Sequence, residues 1–343
     1  MEEKILKISS LILFITILSS AVVLAQFTDI HKREMKREQM SGLQMLAYDT
    51  RQAEQTEDLS FRHQLRLELP EGMELEEITV ENEYVSQNII IKIPDVGKDY
   101  FFDHPLLGRS SHINELYMEN GRIEITMDAV YEPQCRVEDG YLYLDFVKPQ
   151  AVYDKVVVID AGHGGGAPGA IRQGIMEKDI NLAIVKELKA LLDENDQNIG
   201  VYYTRTEDVN PTFAQRAQLG NNTEANLFLS VHSNSTDVEL PLHHGTEVMY
   251  DEMKSEEGFS SKRFAQICLE EATAAMGSKN NGLTHGHSIY IIRNSQVPAA
   301  LIEVGFMTNQ EELNNLTSAE YQKKAALGIY HAILRALEEG FYT

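Results

Sequence analysis

Cysteine is scarce in this sequence of 343 residues. Only Cys135 and Cys268 occur, and neither belongs to a C-x-x-C spacing. A small fold stapled by disulfides is therefore excluded, because such a scaffold needs several cysteine pairs. We predict that both are ordinary buried or half-buried thiols.

Basic residues are also in short supply. Lysine and arginine number 30 against 53 aspartates and glutamates, which gives a formal net charge of −23. A field of this sign repels nucleic-acid phosphates, and no local cluster of basic residues offsets it. We therefore expect no nucleic-acid partner. The sequence also lacks the H-E-x-x-H motif and the P-loop, so neither of those site types is indicated.

What the chain does contain is enough apolar sequence for a sizeable core. Hydrophobic residues make up 43% and charged residues 24%, as in an ordinary globular protein. Disordered, collagen-like and multi-span membrane architectures are excluded for most of the chain. Its length allows two domains.

The N-terminal segment is strongly apolar. Residues 8–25 carry no charge and follow Lys4 and Lys7, which is typical of an export signal or a single membrane anchor. The small residues around Ala25 favour cleavage, whereas the length of the run suits a retained membrane span. Residues 1–26 are therefore predicted to be a signal peptide or a membrane anchor. The rest of the chain is expected outside the cytoplasm, in the cell envelope or secreted.

Two regions without visible chemistry follow. Residues 27–60 are charged, contain no proline and show weak helical periodicity, which predicts a helical stalk or linker. Residues 61–150 alternate apolar and polar residues in short segments, which predicts a small all-β module of a sandwich kind. The predicted strands lie within 63–70, 76–84, 88–96, 121–130 and 140–149.

Residues 151–343 change to strands that alternate with helices. This pattern predicts an α/β domain with a doubly wound, mostly parallel sheet flanked by helices. The predicted strands are 155–160, 201–204, 227–232, 245–250, 288–293 and 299–304. The predicted helices are 176–195, 211–222, 258–276 and 317–338. In such a domain, functional sites collect at the carboxyl ends of the strands.

Polar residues stand at the ends of three predicted strands. His163 and His232 follow or end two of them, Glu303 interrupts a third, and Glu177 opens the first helix. Two imidazoles and a carboxylate are the donors of a His₂Glu zinc site, which keeps its fourth position for water. Each residue alone is more often structural, for example as a carboxylate at a helix N-terminus. Glu303 is less easily dismissed, because half-burial raises the pKa of a carboxyl and suits it to carry protons.

The segment from Lys155 to about Leu337 resembles the zinc-dependent N-acetylmuramoyl-L-alanine amidases of bacteria, the third type of cell-wall amidase. The resemblance is carried, in the family's order and spacing, by residues 156–171, 176–188, 225–235 and 297–313. The family often has proline at the position of Ala161 and aspartate at that of Ala167. Neither is a ligand in that pattern, so the differences concern the rigidity and substrate contacts of the loop.

The resemblance also implies a role for each site residue. His163, Glu177 and His232 correspond to the zinc ligands, and Glu303 corresponds to the catalytic glutamate. Residues that would support the site or contact the substrate are Arg205, Arg216, Asn234 and Arg293.

The implied reaction is hydrolysis of the amide bond between N-acetylmuramic acid and L-alanine, with peptidoglycan as the partner. An uncleaved N-terminal segment would attach the enzyme to the membrane, and the sequence identifies no protein activator. The insert at 236–244 is too short for a helix that blocks the metal, so an open site is expected. Residues 61–150 would be a distant version of the family's wall-targeting modules.

Two other interpretations stay open. The same ligands could serve a different zinc hydrolase of the cell wall, either a peptidase or a polysaccharide deacetylase. Alternatively, the chain could be a non-catalytic wall-binding protein whose amidase domain is silent, although the complete set of four site residues argues against silence.

Overall fold

A computed structural model describes residues 63–236 and 243–341. Within these residues the chain forms two compact units. The first contains the described residues up to Asn82, Asn88–Asp128 and Pro133–Asp145. The second contains Glu83–Gln87, Ala129–Glu132 and the chain from Phe146 onward. The predicted apolar segment 8–25 and the predicted stalk 27–60 lie outside the described residues.

The first unit is built mainly from two four-stranded sheets. Its strands are β1 (Leu65–Glu68), β2 (Thr79–Glu83), β3 (Asn88–Lys92), β4 (Leu107–Gly108), β5 (Ile113–Glu119), β6 (Arg122–Met127), β7 (Glu132–Glu138) and β8 (Tyr141–Val147). The strand orders are β4-β1-β8-β7 and β2-β3-β6-β5. One short helix, α1 (Tyr100–Asp103), precedes β4. Each of the five segments predicted as strands holds one strand, whereas the sequence pattern did not indicate β4, β5 or β7.

The strands of this unit bury alternate residues. Leu65 and Leu67 in β1, and Leu142 and Leu144 in β8, are fully buried, while their neighbours are more exposed. This is the period of two that a strand with one covered face requires. The role of the unit in wall targeting stays a prediction.

The second unit contains a large six-stranded sheet. Its strands are β9 (Lys155–Ala161), β12 (Ile199–Tyr203), β13 (Leu227–Asn234), β14 (Thr246–Tyr250), β15 (Asn280–His285) and β16 (Ala299–Phe306). Their order in the sheet is β12-β9-β13-β16-β14-β15. A separate two-stranded ribbon pairs β10 (Ile171–Arg172) with β11 (Ile175–Met176). The first four strands of the large sheet are parallel, β14 is antiparallel to β16, and β15 is parallel to β14. The predicted α/β domain is confirmed as a mixed, mostly parallel sheet.

Helices cover both faces of this sheet. They are α2 (Glu177–Asp193), α3 (Phe213–Asn222), α4 (Ser261–Met276), α5 (Tyr290–Asn294), α6 (Gln310–Leu316) and α7 (Ala319–Phe341). Val157 and Ile159 of β9 belong to the core formed with α2, α4 and α7. Val156 and Val158 belong to the opposite core, formed with α3 and α5. Because both faces are covered, β9 reads as a continuous apolar run.

The prediction of a strand at 288–293 is wrong. The structure has helix α5 there, and the edge strand β15 comes earlier. Ile291 and Ile292 are both buried in the same core, which suits a helical turn and not a strand with alternating faces. Strand β15 was missed because it has few apolar residues and is only half-buried.

Both cysteines are free thiols, as predicted. Cys268 is buried in the core of the second unit, and Cys135 is half-buried in β7. Burial, reinforced by the nearby carboxylate of Asp145, raises the pKa of Cys135 to about 11. Among the helices of residues 63–236 and 243–341, none combines the length and apolar character needed to cross a membrane.

Candidate metal centre

Three potential metal ligands converge at the carboxyl edge of the large sheet. His163 follows β9, and His232 lies in β13, the parallel neighbour of β9. Glu177 is the first residue of α2. His163 Nε2 lies 3.1 Å from Glu177 Oε2, and His232 Nδ1 lies 2.8 Å from Glu177 Oε1. One donor atom from each residue lies within 4.8 Å of the other two, so the structure brings together the three residues predicted as ligands.

The trio has one buried member and two partly exposed ones. The Glu177 side chain is 7% exposed, whereas those of His163 and His232 are 31% and 17% exposed. Burial alone would raise the pKa of Glu177, but the hydrogen bonds from both histidines outweigh it and hold the pKa well below its usual range. Glu177 Oε2 also accepts a hydrogen bond from the backbone N–H of Ala170. The carboxylate therefore stays charged, as a ligand for a cation must.

Two glycines lie so close to the three potential ligands that a side chain at either position would clash with them. A Cβ atom on Gly162 would lie 2.2 Å from His232 Nε2, and one on Gly169 would lie 2.5 Å from Glu177 Oε2. Any larger residue at either position would push a donor away. The donor set of two imidazole nitrogens and one carboxylate is also the set that zinc accepts. The residues present therefore fit a zinc ion.

The backbone of His163 is held in an uncommon conformation. Its φ of 62° lies in the left-handed region, which a histidine rarely adopts without support. Arg216 supplies that support by donating hydrogen bonds from Nη2 to His163 O at 2.7 Å and from Nη1 to Ala161 O at 2.8 Å. The predicted supporting residue Arg216 thus acts on the loop backbone beneath the site.

Arg216 is also half of a buried ion pair. Its Nη1 lies 2.6 Å from Asp160 Oδ1, and both side chains are almost inaccessible. Thr204 and Ser230 donate hydrogen bonds to the same carboxylate, each at 2.6 Å. Burial would raise the pKa of Asp160, but Arg216 and these two hydroxyls hold the pKa below its ordinary value.

Arg205 supports the same loop from another side. Its guanidinium donates hydrogen bonds to Ala161 O at 2.8 Å, and to Gly162 O and Lys178 O at 2.9 Å each. It therefore ties the loop that carries His163 to the start of α2. Like Arg216, it contacts main-chain oxygens next to the potential metal ligand His163.

Glu303 lies on the strand beside His232. It is the register partner of His232 in the parallel pair of β13 and β16, so both side chains leave the same face of the sheet. Its Oε2 atom is buried and has no hydrogen-bond partner within residues 63–236 and 243–341. Burial, with smaller contributions from the negative charges of Glu177 and Glu247, raises the pKa of Glu303 well above its usual value.

Sequence reasoning missed Glu247. This residue of β14 is the register partner of Glu303 on the other side of β16, and its Oε1 accepts a hydrogen bond from Asn234 Nδ2 at 2.6 Å. Burial raises the pKa of Glu247, although the Asn234 hydrogen bond opposes the rise. The available signal was a carboxylate within the predicted strand 245–250, but which strand faces it could not be read from the sequence.

The remaining predicted residues differ in placement. Asn234 reaches the site through Glu247, whereas Arg293 is exposed on α5. Arg293 donates hydrogen bonds to the carbonyls of His287 and Ser288, and its guanidinium lies 5.9 Å from the centre of the Tyr290 ring. These contacts tie Arg293 to its own turn, and its role toward the substrate stays a prediction. In the predicted insert, residues 237–242 lie outside the described residues.

Comparison with known proteins agrees with this geometry. The sequence family described as N-acetylmuramoyl-L-alanine amidase matches residues 157–335, more than half of the chain. The chain belongs to this family.

The amidase is similar to several relatives. It is 32% identical over 179 residues to the N-acetylmuramoyl-L-alanine amidase LytC of Bacillus subtilis (strain 168), and this match covers 52% of the chain but only 35% of LytC. It is 30% identical to the germination-specific N-acetylmuramoyl-L-alanine amidase of the same strain, covering 54% of the chain and 81% of that relative. The chain also resembles the crystal structure of an N-acetylmuramoyl-L-alanine amidase from Clostridium difficile 630, with 31% sequence identity and a TM-score of 0.50. That match covers 54% of the chain and 97% of the other. The family resemblance predicted from the sequence is confirmed.

Substituting Gly162 should test the shape of the centre. In the amidase, Gly162→Ala places a methyl group against the His232 ring, so we expect zinc affinity to fall by about tenfold or more. Gly166→Ala is the matched control in the same loop, because a Cβ at Gly166 meets no atom within 4 Å. Zinc titration with a competing chelator measures both variants. Equal affinity in the two variants would contradict the crowding argument.

Asp160→Asn should lower the stability of the amidase by an amount that depends on pH. The variant leaves Arg216 buried without its counter-charge, which should lower the free energy of unfolding by about 3 kcal/mol at neutral pH. Because the pKa of Asp160 is lower in the folded than in the unfolded chain, its stabilisation is fully present above the unfolded pKa of about 4. It is lost as the pH falls through the lower folded value.

Denaturant unfolding of wild type and variant across pH gives the measurement. The difference between them should be constant from about pH 5 to 8 and should shrink below about pH 4. Asp196→Asn, at an exposed position, is the control and should change stability by no more than about 0.5 kcal/mol. A difference that grows on acidification would overturn the assignment.

Proposed function

We propose that this amidase is a zinc enzyme that hydrolyses the amide bond between N-acetylmuramic acid and the first L-alanine of peptidoglycan. His163, Glu177 and His232 hold the zinc, and Glu303 carries the proton. The observation that supports this most strongly is the convergence of the three donors within 4.8 Å, with Glu303 in register beside His232.

The chemistry divides between the metal and the protein. Zinc, when bound, supplies a Lewis acid that lowers the pKa of water to about 7 and polarises a carbonyl. The protein holds the ligands in place through Glu177, which is buried, and through the loop anchored by Arg216 and Arg205. It also provides Glu303 as the group that exchanges protons with the reactants.

The role of Glu303 follows from its surroundings. The attacking water must lose a proton, and the departing amine of L-alanine must gain one. A carboxyl with a raised pKa is a stronger base than an ordinary one, so it can accept the first proton and then donate it to the amine. The C–N bond of the amide breaks and a C–O bond forms. The products are the lactyl carboxylate of the muramic acid and a free amino terminus on the stem peptide.

The proposal extends to the rest of the chain. Residues 1–26 direct export or anchor the enzyme, residues 27–60 space it from the membrane, and residues 61–150 bind the cell wall. The apolar run at 8–25 supports an extracytoplasmic location, which is also where peptidoglycan lies. N-terminal sequencing of the protein recovered from the cell envelope distinguishes cleavage from retention.

Single substitutions separate metal binding from proton transfer. We expect Glu303→Gln to retain stoichiometric zinc but to lose activity by a factor of about 100 or more, because glutamine cannot take up the proton. His163→Ala and His232→Ala should lose zinc and activity together. Metal analysis of the purified full chain gives the first readout. Release of peptides with new L-alanine amino termini from purified sacculi gives the second.

The products also discriminate among zinc hydrolases. Acetate release would identify a deacetylase, a cut within the stem peptide would identify a peptidase, and wall binding without any product would identify a silent domain. Near wild-type release of stem peptides by Glu303→Gln would refute the proposed role of that residue.

A further inference from the structure

Three side chains form a row across the centre of the sheet. Glu303 in β16 pairs with His232 of β13 on one side and with Glu247 of β14 on the other. Residues that are direct partners in a ladder extend from the same face, so these three side chains are neighbours. Glu303 therefore lies between a proposed zinc ligand and a second carboxylate.

A side-chain hydrogen bond crosses the strand that carries Glu303. Asn234 in β13 donates from Nδ2 to Glu247 Oε1 in β14 at 2.6 Å, and these two strands flank β16 on either side. The bond therefore spans the strand that carries Glu303. Asn234 Oδ1 accepts a hydrogen bond from the backbone N–H of Ser235 at 2.7 Å, which fixes the orientation of the amide. The bridge is thus held at the Asn234 end.

The strands at the Glu247 end are fixed as well. Glu312 accepts hydrogen bonds from the backbone N–H groups of Gly245 and Phe306, each at 2.7 Å. One carboxylate thereby ties the chain just before β14 to the last residue of β16. This contact maintains the register that places Glu247 opposite Glu303.

Glu303 has little else to orient it. Its buried Oε2 atom is without a hydrogen-bond partner among the described residues. A proton carrier must nevertheless be held within a fraction of an ångström of its working position. The groups packed around the carboxyl, and not a direct hydrogen bond to Oε2, must therefore set its orientation.

We propose that Glu247, held by Asn234, is a positioning residue that confines the carboxyl of Glu303 beside the metal centre. This inference rests on the proposed function, since it assigns Glu247 a role through Glu303. Glu247 holds no metal and touches no reacting atom. Its contribution is the hydrogen-bonded bridge, which limits the rotamers open to Glu303.

The test compares Glu247→Ala with Glu247→Gln in the full chain, using soluble peptidoglycan fragments as substrate. Glu247→Ala removes the bridge, so we expect kcat to fall by about tenfold or more, with KM and zinc content unchanged. Glu247→Gln keeps an amide oxygen that can accept from Asn234, so it should restore most of kcat. Asn234→Ala should match Glu247→Ala, and the double variant should lose little more, because both break the same bond.

Controls separate the possible failures. Glu256→Ala, at an exposed position outside the site, should leave kcat unchanged, and thermal melts check that each variant folds. Unchanged kcat in Glu247→Ala, loss of zinc in that variant, or a Glu247→Gln variant as slow as Glu247→Ala would each overturn the positioning role. If wild type itself released no peptides with new L-alanine amino termini, the proposed function would fail instead.

Discussion

The metal centre depends on the hydrogen-bonded ion pair that the buried carboxylate of Asp160 forms with Arg216. A charge without access to water is tolerated only when its oxygens are paired and hydrogen-bonded. Arg216, Thr204 and Ser230 meet this requirement, and they come from α3, from the residue after β12 and from β13. The network therefore ties three elements to the end of β9, where the loop to His163 begins. Arg216 also donates a hydrogen bond to the carbonyl of His163, which stabilises the left-handed backbone conformation of that residue.

Two glutamates at this site have opposite electrostatic surroundings. Glu177 receives hydrogen bonds from two histidines, from the Asn181 side chain and from two backbone N–H groups, so its charged form is favoured despite burial. Glu303 is buried near the acidic Glu177 and Glu247, and its Oε2 atom has no hydrogen-bond partner in the described part of the chain, so its neutral form is favoured more than that of an ordinary carboxyl. The same side-chain chemistry is thus divided into a group suited to hold a cation and a group suited to hold a proton. Such a separation of pKa values between neighbouring carboxyls is how one site assigns different roles to them.

Sequence patterns could predict the site residues that lie at the ends of strands and helices, because neighbouring residues determine where those elements begin and end. His163 and His232 stand at the ends of continuous apolar runs, and Glu177 stands at the head of an amphipathic helix, so parallel pairing of the strands was enough to expect their convergence. The error at 288–293 arose because two adjacent buried isoleucines suit a strand as well as a helical turn when only the sequence is considered. The edge strand Asn280–His285 gave too weak an apolar signal to compete.

Glu247 was out of reach of the sequence for a different reason. Its relation to Glu303 depends on the direction of β14, which is antiparallel to β16 although the strands on the other side of β16 are parallel. Because of this reversal, the second residue of β14 faces the part of β16 next to His232. In a fully parallel sheet the start of β14 would lie at the opposite edge, far from the donor group. One reversed junction therefore lets a third glutamate, besides Glu177 and Glu303, reach the centre, and no local pattern records the direction of a strand.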